Sequence, residues 1–229
     1  MKSLAFGLIL ASVASSVWAI DLRGRTDFSA EAGIVSDYRY RGVSLTDNEA
    51  AFQGSVTAEH ESGFYGTVWG SVPLRGTGET EIDISVGYTF GVGPGTADLS
   101  VVGYVYPNLD NSDYVNLIAA YEIPVGEWTA RAAVEYAPPQ SGLSQYSSYA
   151  SLAVERSIPK TGVTLFGTVG YEQGAFTLDG EKVDYSVGLR YPVGPLLLSI
   201  AYVDTDEKPP VGSEDVFGEG IVVGVSAEF

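Results

Sequence analysis

From about residue 27 onward the chain runs in short segments in which apolar and polar residues alternate one by one. In Glu81–Phe90, one set of positions holds Ile82, Ile84, Val86, Tyr88 and Phe90, and the other holds Glu81, Asp83, Ser85, Gly87 and Thr89. Successive side chains of a strand point to opposite faces, so a period of two predicts a strand with one apolar and one polar side. Trp128–Tyr136 and Val183–Tyr191 repeat the pattern. Wound as helices, these segments would scatter their charges around the whole circumference, so a helical reading fails. The eleven prolines all fall at the ends of such runs or between them, as expected of a residue that cannot donate to a ladder. The segmentation predicts twelve strands, near 28–40, 50–60, 64–72, 80–90, 97–106, 113–123, 128–137, 146–156, 163–172, 181–191, 196–204 and 219–229.

The connections alternate in character. One set is tight and rich in Gly and Pro: Glu61-Ser62-Gly63, Val92-Gly93-Pro94-Gly95, Pro124-Val125-Gly126-Glu127, Pro159-Lys160-Thr161-Gly162 and Pro192-Val193-Gly194-Pro195. The other set is longer and more acidic, as in Asn108–Ser112 and Thr205–Phe217. The expected fold is therefore all-β, an antiparallel up-and-down transmembrane β-barrel of about twelve strands, with short periplasmic turns and longer extracellular loops. Aromatic residues gather near strand ends. Tyr38, Tyr40, Tyr104, Tyr106, Tyr136 and Tyr202 are expected in an outer girdle, and Tyr88, Phe90, Tyr121, Trp128, Tyr191 and Phe229 in an inner one.

The N-terminus changes the picture from a β-protein to an exported one. Lys2 precedes an apolar stretch from Leu4 to Val17, and Val17-Trp18-Ala19 places small or aliphatic residues where a signal peptidase reads them. Residues 1–19 are expected to be a signal peptide cleaved after Ala19, leaving 20–229 as a single barrel domain. The stretch is too short to span a bilayer, and no later run is long enough to do so as a helix. With no cysteine, a disulfide framework and thiol chemistry are excluded. A formal charge of −17 argues against nucleic acid as a partner, because such affinity comes largely from cations on phosphate.

The last segment adds a second export feature. Ile221, Val223, Val225, Ala227 and Phe229 share one face of a closing strand that ends on Phe229. This arrangement resembles the assembly signal of outer-membrane proteins, and implies contact with the barrel-assembly machinery through the C-terminal strand. A longer resemblance lies near the N-terminus. Ser36-Asp37-Tyr38-Arg39-Tyr40-Arg41-Gly42-Val43-Ser44-Leu45-Thr46, then Gln53-Gly54, His60-Glu61-Ser62-Gly63-Phe64-Tyr65 and Trp69-Gly70-Ser71 are similar to the TorF-type porin family of proteobacteria, and Glu81, Asp83, Gly87 and Tyr88 fit that family's next hairpin. The resemblance covers roughly residues 30–90. It implies an outer-membrane barrel and suggests transport, without supplying a substrate; the partners expected of such a barrel are outer-membrane lipid, lipopolysaccharide and small solutes. Where the family has a proline before the alanine this chain has Glu49-Ala50-Ala51, so its first outer loop is expected to take its own shape.

Candidate chemistry is sparse. His60 is the sole histidine. It is expected beside a short turn at the lipid interface, on the wrong rim for a hydrolase of outer-leaflet lipid, and no enzymatic activity is expected. Glu81 and Asp83 lie two apart on one face, yet charges recur on nearly every polar face, so the pair does not single out a hydrolytic site. The acidic loops lack a calcium-loop motif, and Gly91–Gly95 has no helix after it to make a phosphate cradle. Neither a metal nor a cofactor is expected. What remains is a lumen lined by charge, expected to include Asp37, Arg39, Arg41, Glu59, Asp83, Arg131, Glu135, Asp184 and Arg190. Over all polar faces twelve acids oppose five bases, which predicts a cation-preferring channel for small polar solutes or ions. A closed structural or adhesion barrel, and more remotely a lipid hydrolase, stay open at this point.

Overall fold

The computed structural model describes residues 26–75, 78–209 and 216–229. The leader expected over 1–19 and its cleavage after Ala19 lie outside them. The described chain forms fourteen strands: β1 (Thr26–Val35), β2 (Arg39–Tyr40), β3 (Val43–Ser44), β4 (Ala51–His60), β5 (Phe64–Pro73), β6 (Glu81–Val92), β7 (Gly95–Val105), β8 (Tyr114–Val125), β9 (Trp128–Ala137), β10 (Ser147–Ser157), β11 (Thr164–Gly174), β12 (Glu181–Val193), β13 (Leu196–Thr205) and β14 (Gly220–Glu228). Twelve of them, β1 and β4 to β14, close into a barrel in which sequence neighbours pair antiparallel and β14 returns to β1. The seam is continued beyond the ladder by Phe229, whose backbone N–H donates to the Ala30 carbonyl at 2.7 Å and whose carbonyl accepts from the Ala30 N–H at 3.0 Å.

Alternation in the sequence becomes inside and outside in the barrel. Along β12, Lys182, Asp184, Ser186 and Arg190 are buried while Val183, Tyr185, Val187 and Leu189 are exposed. Around the exterior, Val68, Ile84, Leu152, Val169, Val187 and Val223 are likewise exposed. A continuous apolar belt of this kind is incompatible with water and is what lipid requires of a closed barrel. The protein is an outer-membrane barrel. The short turns all lie at one end, and their chain reversals use left-handed glycines, as at Gly63 (φ 99°) and Gly194 (φ 60°).

Two expectations from sequence need correction. The first strand does not run to residue 40. It stops at Val35, and the chain then turns into the barrel as the β2–β3 hairpin. Asp37, Arg39 and Arg41 therefore belong to an inward loop and not to a wall strand near the outer rim. The second correction concerns the outer girdle. Tyr38 and Tyr104 are buried, and Tyr40 and Tyr106 pack onto the interior clusters with them. Tyr104 shares its face with Asp98 and Ser100, so the pleat sends it inward although it sits near a strand end. The aromatic residues exposed toward that rim are Tyr136, Tyr146, Tyr171 and Tyr185, with Tyr202 packed on Tyr185.

Candidate functional site

The hairpin is built from local chemistry. Tyr40 and Val43 flank a two-residue turn in which Arg41 (φ 49°) and Gly42 (φ 85°) are both left-handed. This geometry matches the right-handed twist of the paired strands, and it is costly for a non-glycine residue such as Arg41. Strain of that kind persists only where surrounding contacts impose it. Gly42 has its own reason. A Cβ there would lie 2.5 Å from the Thr205 Cβ and 2.9 Å from the Asp204 carbonyl oxygen, so the turn rests directly against the end of β13.

Asp37 organises the base. Its carboxylate accepts from Ser44 Oγ at 2.6 Å and Thr46 Oγ1 at 3.3 Å, and pairs with Arg39 Nε at 2.5 Å. Thr46 Oγ1 in turn accepts the Tyr38 N–H at 3.0 Å. Arg39 also donates to Asn48 Oδ1 at 2.6 Å and to the Gly218 carbonyl, and the Ser44 N–H donates to the Val216 carbonyl at 2.9 Å. Val216 and Gly218, just before β14, thus clamp the hairpin from behind.

From this base the hairpin spans the lumen. Tyr38, 1% exposed, packs edge-on against Trp69 of β5 at 5.5 Å. Burial and the carboxylates of Glu81 and Asp83 push its phenol well up, so it stays protonated and donates to Glu81 Oε2 at 3.0 Å. Tyr40 lies 6.4 Å from Tyr104 of β7. Arg41 crosses furthest. Its Nη2 reaches Glu135 Oε2 of β9 at 2.6 Å, its Nη1 reaches Glu172 of β11, and the guanidinium lies over the Tyr149 ring of β10 at 3.9 Å. Wall groups complete the patch. Asn116 Nδ2 donates to Glu135 at 2.9 Å, Tyr149 Oη donates to Asp184 Oδ1 at 3.1 Å, and Lys182 Nζ lies 3.3 Å from Glu172 and 3.6 Å from Glu207.

Toward the short-turn end a second charged layer lies on the wall alone. Arg190 pairs with Glu155 at 3.3 Å and stacks over Phe166 at 4.1 Å, while Arg131 approaches Asp98 at 4.0 Å. Glu59 faces inward on β4, opposite Asp27, and Glu31 stands opposite Glu228 across the seam. A cavity of about 190 Å³ borders the hairpin between these layers, lined among others by Arg41, Asp83, Tyr104, Glu135, Tyr149 and Asp184. His60 bonds through Nδ1 to Ser62 Oγ at 2.7 Å on the β4–β5 turn, at the short-turn end of the barrel. Among the described residues no group of three or more His, Cys, Asp or Glu side chains is arranged to hold a metal ion.

The structure brings Arg41, Glu135 and Asp184 together, places Asp83 on the same cavity beside Tyr104, and leaves Arg131 and Arg190 in the lower layer. Sequence reasoning missed Tyr149. Its parity with Ser147 and Ser151 marks it as inward, but nothing local marks it as the platform for Arg41.

A closed twelve-stranded barrel, apolar outside and charged within, is the fold of a membrane-spanning β-barrel. The chain belongs to the family described as "Bacterial protein of unknown function (Gcw_chp)", whose model matches residues 21–229. Solved structures of similar fold are a NanC porin (11% identity, 87% of this chain and 98% of that one, TM-score 0.61), a KdgM porin in complex with disordered oligogalacturonate (8% identity, 89% and 99%, TM-score 0.58) and a COG4313 outer-membrane channel from Pseudomonas putida F1 (13% identity, 95% and 99%, TM-score 0.52). No curated protein sequence matches the chain.

Proposed function

We propose that the protein is a passive diffusion channel for small polar solutes or ions, of the TorF-type porin kind, with a cation preference and with the β2–β3 hairpin as its constriction. The observation that carries this reading is the placement of a charged hairpin across a lumen whose wall acids outnumber its wall bases. A hairpin docked by polar contacts suits a constriction, since a barrel sealed for structural purposes is more simply filled by packed side chains. Low-dielectric walls focus the field of the excess acids and concentrate cations. Purified protein in planar bilayers is expected to give discrete conductance steps. The hairpin's ion pairs to the wall favour a second reading, a closed structural barrel, and protein that folds but is electrically silent, both as wild type and with the hairpin tip altered, would establish it.

The C-terminal strand is assigned to assembly. Phe229 ends the strand that closes the seam, and an open seam in lipid leaves backbone groups unpaired at several kcal/mol each. Deleting Phe229 is expected to lower the amount of heat-modifiable barrel in the outer membrane and raise the periplasmic protease response. Normal levels of assembled truncated protein would rule the role out.

A further inference from the structure

Arg41 occupies its site as a ligand would. Two carboxylates grip the guanidinium from two sides, Glu172 being wholly buried, and the Tyr149 ring lies beneath it. These are the features by which proteins hold free guanidinium and ammonium groups: charge-assisted bonds to carboxylate and the face of an aromatic ring. The patch is not saturated by the chain's own cations. Among the described residues, Glu135, Glu172, Asp184 and Glu207 are set against two cations, Arg41 and Lys182. Asp184, only 5% exposed, keeps Oδ2 without a hydrogen-bond partner and lines the adjoining cavity beside Arg41 and Tyr149.

We propose that this patch is a binding site for small guanidinium- or ammonium-bearing solutes, which displace Arg41, undock the hairpin and so open the channel to themselves. The inference rests on the channel reading and names the solutes that the channel takes. A tethered ligand competes at an effective concentration of about millimolar or more, so a free cation acts at about 1–100 mM.

The probe is methylguanidinium chloride, exchanged mole for mole against potassium chloride so that ionic strength is constant. In wild-type channels the mean current is expected to rise at least about threefold over the roughly 1–100 mM range of an effective tethered concentration, with tetramethylammonium, which has no N–H to donate, ineffective. In Arg41→Ala channels, whose site is vacant, methylguanidinium is expected to reduce the current by occupying it. An equilibrium readout needs no functional variant of the site. In a Trp128→Phe background of the chain from residue 20, which lacks Trp18, Trp69 reports on Tyr38 packed against it, and methylguanidinium is expected to shift its emission to the red as the hairpin leaves. Wild-type channels that conduct potassium chloride, but whose current and Trp69 emission ignore methylguanidinium, would overturn the inference and leave the channel reading standing. Silence in potassium chloride from wild type and Arg41→Ala alike would overturn both.

Discussion

Arg41→Ala is expected to raise single-channel conductance several-fold while leaving the barrel heat-modifiable. The reason lies in what the guanidinium holds. It joins the tip of the hairpin to β9 and β11 through Glu135 and Glu172, and to β10 through the Tyr149 ring. Removing one partner of a buried ion pair costs about 3–5 kcal/mol, mostly because the abandoned charge stays buried. Here the abandoned carboxylates can recover their hydration only if water enters where the tip was docked. A shift of even about 3 kcal/mol changes a population by more than about 100-fold, enough to make the undocked hairpin the common state. The wall strands carry their own ladders and do not depend on the hairpin. Arg41→Lys should give an intermediate conductance, because an ammonium keeps the charge but cannot fork between two carboxylates. A conductance of Arg41→Ala equal to that of the wild type would mean that the hairpin tip does not limit passage.

Val187→Arg is expected to cost about 2–4 kcal/mol of folding stability in lipid, the range for a cation at the bilayer midplane. Val187 is the central residue of β12, faces outward and is 59% exposed. In urea titrations of protein folded into vesicles, that cost corresponds to a fall of about 30- to 1,000-fold in the folded-to-unfolded ratio. Its neighbour Ser186 faces the lumen beside the cavity. Ser186→Arg should therefore spare stability by comparison and alter conductance instead. Equal stability of the two variants would mean that the faces of β12 are misassigned.

The barrel was legible in the sequence because lipid enforces alternation. Any slip of one residue would turn Asp184 and Arg190 toward hydrocarbon and Val187 toward water, so the polar set on each strand declares its face. Eleven of the twelve wall strands lie within a few residues of the expected segments. The exception, β1, is informative. Ser36–Thr46 still reads as alternating, but Arg41-Gly42 between Tyr40 and Val43 is also a two-residue hairpin signal, and the concentration of Asp37, Arg39 and Arg41 in a supposed outer half-strand pointed the same way. Position along the strand does not reveal the outer girdle, because parity sends Tyr104 inward. The tertiary pairings had no sequence signal. Arg41 and Glu172 are 131 residues apart, and only closure of the barrel brings β9 and β11 within reach of the hairpin.

The central claim, a conducting lumen governed by its excess of acids, is tested most directly by the reversal potential across a planar bilayer under a potassium chloride gradient, for the wild type and for an Arg39→Ala/Arg41→Ala double variant. The wild type is expected to reverse on the cation-selective side, more strongly at low salt, because screening lengths shorten from about 30 Å at 0.01 M to about 10 Å at 0.1 M. The double variant removes two positive charges from the constriction and should reverse further in the same direction. A wild type that reverses on the anion-selective side would contradict the account, since Arg39 and Arg41 would then dominate passage although the acids outnumber them.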